Sequence, residues 1–368
     1  MSVGPVAIVG VGLMGGSLGL ALRALGGVEV RGIDPDPEAL RVAEAVGAIS
    51  VAAASVEEGA EGAAIVVLAA PVPQIAGLAR RALAAGGPDC LVTDIGSSKG
   101  AVVAGFTPAE RERFIGGHPV CGAERTGVAF ARAALFRGAT WFLTPAPEAR
   151  PDLFQRLHAL VASVGARPVA IDPDVHDRLM ALVSHLPHVL AGALVNQAAA
   201  TAPGGREALR SAGPSFIDLT RVAGSNPPLW ADILLSNAEA VLAEMRAYAA
   251  RLGDVERALE RGDRDWLLRF VEAAAVARTR LREVEDAGPA APSRVTVAVP
   301  NRPGVISEIA TALGHAHINI EDLTLRPGPV GGEGELELLL DGPEAAREAV
   351  RLVGEHGFAA QVGPVAPG

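Results

Sequence analysis

The chain is poor in lysine, cysteine and aromatic residues, and each shortage narrows what it can be. Among its 32 Lys and Arg residues a single lysine stands out, Lys99. Set against 42 Asp and Glu, these cations leave a formal charge of −10, which provides no footprint for a nucleic-acid backbone or an anionic membrane surface. Two cysteines, Cys90 and Cys121, cannot staple 368 residues, and a reducing cytoplasmic compartment is the expectation. No run of about 18 uncharged apolar residues and no basic-then-apolar leader stands out in the sequence, so no membrane partner is expected. With 49% hydrophobic but only 4% aromatic residues, the core must be built from Val, Leu, Ala and Ile, and an isolated Trp becomes conspicuous.

A chain of 368 residues suffices for two or three domains at about 150 residues each. Over residues 1–172, short β-branched runs alternate with alanine-rich amphipathic stretches, the pattern of a parallel sheet flanked by helices. Strands are expected at Val6 to Gly10, Glu29 to Asp34, Ala64 to Ala69, Leu91 to Asp94, Thr140 to Thr144 and Pro168 to Ile171. From 173 to 286 the strand signal gives way to long helical periods, which predicts an all-helical domain. Pro and Gly between Ala287 and Ser293 mark a linker. Residues 294–366 then read as a βαββαβ unit of one sheet and two helices.

The first expected strand runs into Gly10-Val-Gly12-Leu13-Met14-Gly15-Gly16 with a helix opening at once. Gly10 permits the turn, Gly12 lets backbone approach a pyrophosphate, and Gly15 lets helix and strand pack closely. The second strand ends in Asp34, about 20 residues beyond the glycines, where a carboxylate holds ribose hydroxyls and repels a 2′-phosphate. NAD is therefore the expected cofactor.

Three segments concentrate polar chemistry. Ser97 and Lys99 lie in Thr93-Asp-Ile-Gly-Ser-Ser-Lys99-Gly100, just beyond a strand, at the edge where open α/β sheets hold ligands. Capping of the next helix by Ser97 or Ser98 is the plainer alternative. In Gly116-Gly-His118-Pro the histidine is held extended by the proline after it, and its ordinary pKa near ~6.5 suits a proton acceptor. Ser184-His185-Leu-Pro-His188 puts two histidines on one helix face, where Pro187 should cause a kink. No spacing offers a third ligand, so no metal is assigned. Cys121 reads as a packing residue. Arg221 and Trp230 follow Phe216-Ile-Asp218-Leu-Thr in the helical region.

These segments in this order, from Gly10 to Ser17, Asp94-x-Gly-Ser-x-Lys99, Gly-Gly-His118-Pro, Ser-His-Leu-Pro-His188 and Asp218-x-Thr-Arg221 with Trp230, resemble the prephenate and arogenate dehydrogenase family of tyrosine biosynthesis. The resemblance spans about residues 4 to 285. The tail, with Asn301-Arg-Pro-Gly304 before a helix and His317-Ile-Asn319 after it, resembles an ACT regulatory domain. What this implies is NAD-dependent oxidative decarboxylation of prephenate to 4-hydroxyphenylpyruvate in a homodimer joined by the helical domain. His118 would take the ring hydroxyl proton and Ser97 would hydrogen-bond the same hydroxyl. Arg221 would hold a carboxylate; His185, His188 and Trp230 would line the pocket, with Glu124 at its mouth. Lys99 would either neutralise a second substrate carboxylate or brace its loop. The resemblance further implies tyrosine feedback, with Asn301, Gly304 and Asn319 as effector contacts at a subunit interface. Arogenate as substrate, or a non-catalytic amino-acid-binding regulator, are the alternatives. Gly213-Pro-Ser215 departs from the glycine run common in relatives, which predicts a stiffer loop before Phe216.

Overall fold

The computed structural model describes residues 4–122, 125–201, 211–286, 292–300, 302, 304–316, 318, 320–326 and 333–363. Glu124, Asn301 and Asn319 lie outside them, as does most of the expected linker.

The chain divides into two compact units. The first takes in Met1–Asp177, Ser225–Ser236 and Ala291–Gly368; the second takes in Arg178–Gly224 and Asn237–Ala290. In the first unit an eight-stranded sheet is formed by β1 (Val6–Val9), β2 (Val30–Ile33), β3 (Val51–Ala52), β4 (Ile65–Leu68), β5 (Leu91–Asp94), β6 (Phe114–Pro119), β7 (Thr140–Pro145) and β8 (Arg167–Ala170). Its order is β3-β2-β1-β4-β5-β6-β7-β8. β1 through β6 run parallel, and β7 turns antiparallel to β6. The order reverses between β1 and β4, which places a topological switch point over the glycine turn. β1 and β4 carry no exposed residue because helices cover both faces, which is why they read as continuous apolar runs.

β3 and β6 are the strands that sequence periodicity missed. β3 is two residues long. β6 carries Gly116, Gly117 and Pro119, residues that weaken any strand signal. It persists because both glycines sit where a Cβ would collide: at Gly117 it would fall 2.6 Å from the Asp94 carbonyl oxygen.

The C-terminal strands β9 (Ser293–Pro300), β10 (Ile320–Arg326), β11 (Glu333–Leu340) and β12 (Ala360–Gly363) form an antiparallel sheet in the order β10-β11-β9-β12. With helices Val305–His315 and Gly342–Glu355 they make the expected βαββαβ order. This part is docked, not loosely tethered. Leu153, Phe154, Leu157 and Leu160 of helix Pro151–Ser163 share one continuous core with Val295, Val297, Leu336 and Leu338. All are essentially buried, worth about 1.5–3 kcal/mol for each large side chain. The Gln155 amide donates to the Leu323 carbonyl at 3.2 Å, and His158 Nε2 donates to the Ile320 carbonyl at 3.0 Å. Burial pushes the His158 pKa down to about 4, so at neutral pH the ring is uncharged and the contact costs no desolvated charge.

The second unit is helical, with Leu186–Thr201, Pro214–Thr220, Ala238–Arg261 and Arg264–Asp286 as its main α-helices. Asn237 ends helix Pro227–Ser236 and occupies the cap position at the start of Ala238–Arg261. Pro187 acts as expected on its own helix: the five residues Ala181–His185 before it form a π-turn, absorbing the missing donor. One correction concerns hydropathy. Pro173–Ala200 is, among the described residues, a helical stretch long and apolar enough to cross a membrane by length and composition, with mean hydropathy 1.5. It nevertheless carries Asp174, Asp177, Arg178, His185 and His188.

Candidate active site

The glycine turn follows β1 and caps helix Leu13–Ala24. Gly10 has φ +94°, and a Cβ there would lie 2.5 Å from the Ala69 carbonyl oxygen, so no other residue fits. At Gly12, by contrast, a Cβ would meet nothing within 4 Å. The protein does not demand that glycine; the open space in front of the helix N-terminus is where a side chain would obstruct an incoming anion. Leu13 and Met14 form the first residues of that helix, and Gly15 packs against the Gly10 carbonyl. Asp34 Oδ2 accepts from Val11 N at 2.9 Å and Oδ1 from Asp36 N at 2.9 Å, which fixes the carboxylate beside the turn. These residues fit a dinucleotide with unphosphorylated ribose.

The second cluster ties β5 to β6. Asp94 is fully buried and accepts from Gly96 N at 2.8 Å and Gly117 N at 3.1 Å. The lone lysine completes it: Lys99 Nζ forms an ion pair with Asp94 and donates to the Gly117 carbonyl at 2.7 Å. Burial pulls the Lys99 pKa below the ordinary ammonium range, and the Asp94 carboxylate pulls it back. Of the two roles that the resemblance leaves open for Lys99, the fully buried ammonium paired with Asp94 and Gly117 matches the brace.

His118 projects from β6 and its Nδ1 lies 2.9 Å from His176 Nε2. His176 Nδ1 in turn lies 2.8 Å from Asp177 Oδ1. Asp177 is anchored by backbone donors, Lys99 N to Oδ1 and Gly100 N to Oδ2, each at 2.8 Å. Burial opposes the charge on Asp177, but its bonds from His176, Lys99 N and Gly100 N outweigh burial and hold its carboxyl below the usual range. Burial likewise lowers the His176 pKa, against the pull of Asp177. Tautomers follow from this network. A neutral His176 donates from Nδ1 to Asp177 and accepts at Nε2, so His118 donates from Nδ1 and keeps Nε2 as its acceptor, the state a general base requires.

His176 and Asp177 went unrecognised in the sequence because they sit in the first turns of a helix, where an acid reads as a helix-dipole partner and a lone histidine as filler. The available signal was their adjacency, since His176-Asp177 is the one His-Asp dipeptide in the sequence. Replacing His176 by Phe, which keeps the packing against Phe142 but removes both ring nitrogens, should lower kcat by about 100-fold through misplacement of His118. It should also shift the acid limb of the kcat/KM profile, because His118 Nδ1 loses the ring nitrogen that it faces. An unmoved pH profile would reduce His176 to packing.

Ser97 is half-buried on the same loop, and its neighbour Ser98 is the one that is anchored, donating to Ser236 Oγ at 2.8 Å. That bond joins the loop to helix Pro227–Ser236, on which Trp230 is half-buried. Burial pushes the Cys121 thiol up to about 11, which fits the packing residue expected.

In the second unit His185 is buried, with its Nδ1 accepting from the Asn237 amide at 3.2 Å. His188 is half-buried one turn on, and burial lowers its pKa. Arg221 is exposed at the start of the turn Arg221–Gly224, which packs against helix Leu186–Thr201, so the unit brings the histidine helix and the arginine turn together. Pro214 opens helix Pro214–Thr220 at its first turn, with Gly213 as its cap.

An open α/β sheet with a glycine turn at its switch point, an acid at the end of β2 and a relay-held histidine on β6 make a scaffold of the dinucleotide-binding kind. Comparison with known proteins narrows this. Residues 18–170 match the family model "Prephenate dehydrogenase, nucleotide-binding domain", 172–273 "Prephenate dehydrogenase, dimerization domain" and 293–351 "ACT domain". The prephenate dehydrogenase of Bacillus subtilis is 32% identical over 324 residues, covering 87% of each chain. Among solved structures, prephenate dehydrogenase from Aquifex aeolicus in complex with hydroxyphenyl propionate and NAD+ is 30% identical, with TM-score 0.72, covering 76% of this chain and 99% of that one. Synechocystis arogenate dehydrogenase is 27% identical, with TM-score 0.66, covering 75% and 99%. The chain belongs to the prephenate dehydrogenase family and carries a C-terminal ACT domain.

Proposed function

We propose that this protein is an NAD-dependent prephenate dehydrogenase, cytoplasmic and homodimeric, that forms 4-hydroxyphenylpyruvate. The observation that carries this reading is the Asp177–His176–His118 relay, which leaves a basic ring nitrogen at the sheet edge that also holds the glycine turn. The relatives named for prephenate, one of them in complex with NAD+, support the substrate and the cofactor.

Gly10, Gly12, Gly15, Leu13 and Met14 would receive the pyrophosphate and Asp34 the ribose hydroxyls; the cofactor supplies a hydride acceptor. His118 Nε2 takes the proton of the ring hydroxyl while hydride leaves the carbinol carbon. Loss of CO2 returns the electron pair of the broken C–C bond to the ring, making it aromatic, and His118 gives its proton back to the phenolate oxygen. Ser97 orients the hydroxyl. Arg221 carries a planar fork that suits a substrate carboxylate, and the roles of His185, His188, Trp230 and Glu124 stay those that the family resemblance implies. Lys99 acts through the loop and β6 as a positioning residue.

An assay of prephenate and arogenate, each with NAD and NADP, tests the reading. Reduction of NAD with prephenate at the highest kcat/KM is expected, with NADP at least about tenfold poorer because Asp34 repels its 2′-phosphate. A preference for arogenate would shift the substrate, and inactivity in all four combinations would leave the non-catalytic regulator. Tyrosine feedback through the ACT domain belongs to the same proposal. Gly304 is buried, and a Cβ there would overlap the Pro147 carbonyl oxygen. The start of helix Val305–His315 thus packs at Gly304 against Pro147 of the nucleotide-binding part.

A further inference from the structure

Asn237 stands where the chain leaves helix Pro227–Ser236 and begins Ala238–Arg261, and its carbonyl accepts from Val241 N at 3.0 Å to open the second helix. Asn is a favoured side chain at such a position, because its oxygen can accept from the backbone donors of the first turn. Here the side chain makes no capping bond. Its amide donates instead to Nδ1 of His185 at 3.2 Å, in the interior of the helical unit, with Asn237 6% and His185 1% exposed. Asn237 and Val241, four residues apart, are both buried while Glu239 and Leu242 are exposed, so helix geometry aims the amide inward. His185 closes the π-turn Ala181–His185, which packs on that same helix, so both partners are carried on regular backbone.

An amide N–H needs an acceptor, so Nδ1 of His185 carries no proton and the proton of the neutral ring sits on Nε2. Protonating Nδ1 would set one buried N–H against another. His176, earlier in the same helical stretch, has the opposite arrangement, because its Nδ1 faces the Asp177 carboxylate and is the donor. A carboxylate and an amide thus impose opposite tautomers on two histidines. We infer that Asn237 is a positioning residue that holds His185 as a neutral ring with its proton on Nε2, a fixed hydrogen-bond donor and not a second base. The inference rests on the proposed function, in which His185 lines the substrate pocket and His118 is the base. There the Nε2–H serves a substrate oxygen, and the ring adds no charge of its own.

Imidazole ¹⁵N NMR of the full chain, labelled at its eight histidines, reads the tautomer, with the His185 signals identified by their loss in His185→Gln. A protonated Nε2 and an unprotonated Nδ1 are expected at about pH 8.5, above the ordinary imidazole range. Asn237→Asp keeps the shape of the side chain and exchanges its donor for acceptors, so Nδ1 should gain a proton. In that variant kcat/KM for prephenate at the same pH should fall at least about tenfold, as expected for loss of one buried hydrogen bond, with NAD affinity within about twofold. Asn237→Leu keeps the volume and offers neither donor nor acceptor; it should populate both tautomers, and it serves if the Asp variant fails to fold. A proton on Nδ1 of His185 in the unmodified chain, or one tautomer common to all the variants, overturns the inference. So does a changed tautomer with unchanged kcat/KM. Inactivity of the unmodified chain with prephenate and NAD overturns the catalytic reading instead, and the NMR measurement does not depend on it.

Discussion

Replacing His118 by Asn is expected to lower kcat at least about a hundredfold, because a positioned general base contributes about 10²–10⁴-fold. Asn keeps a polar side chain at the end of β6 and can still donate to His176, but its amide nitrogen has no basic lone pair. Cofactor affinity should stay within about twofold, since the glycine turn and Asp34 are held by their own bonds to Val11, Asp36 and Ile33. Rapid-reaction and steady-state kinetics, with NAD affinity measured separately, check both halves. A variant with near-normal turnover would remove His118 from the chemistry. One that lost NAD binding as well would show that the substitution disturbed the fold.

The second large effect belongs to the lone lysine. Lys99→Met should destabilise the protein by about 3–5 kcal/mol, because it leaves the Asp94 carboxylate buried without its cation. Lys99→Arg should also be costly. The site admits a narrow ammonium between Asp94 and the Gly117 carbonyl, and a Cβ on Gly116 would come within 3.2 Å of the Lys99 side chain. A guanidinium fork has more donors than this space has acceptors. Both variants should lose activity beyond their loss of stability, because the same loop supplies the backbone donors of Asp177 and the same bonds seat β6 under His118. Chemical denaturation beside kcat at a permissive temperature separates the two. If Lys99→Met unfolds with an unchanged midpoint, the buried brace is not a structural element.

The lone lysine also shows where sequence reasoning succeeded and stopped. Its isolation among arginines marked a position that needs a compact cation, and the motif put it on a ligand-edge loop. Whether the charge faced a substrate or the protein depended on Asp94 and Gly117 converging from two strands, a long-range arrangement that no local pattern encodes. The Gly10 turn and Asp34 were legible because their spacing follows from the strand–turn–helix unit itself. β6 was not, since Gly116, Gly117 and Pro119 suppress strand propensity and are retained for close packing. His176 and Asp177 were invisible for a related reason: helix geometry gave no cause to single them out until β6 brought His118 alongside. The ACT domain's order was readable from alternation, but its docking through Leu157, His158 and Gly304 is a tertiary fact that leaves only small residues and an ordinary amphipathic helix in the sequence.

The proposed reaction couples hydride transfer to loss of carbon dioxide at one site. Its most direct measurement is the stoichiometry of NADH and CO2 formed from prephenate labelled in the ring carboxyl group. One CO2 released for each NADH, with both products falling together in His118→Asn, is the predicted result. NADH formed without CO2, or CO2 released at an enzyme-dependent rate without NADH, would contradict it.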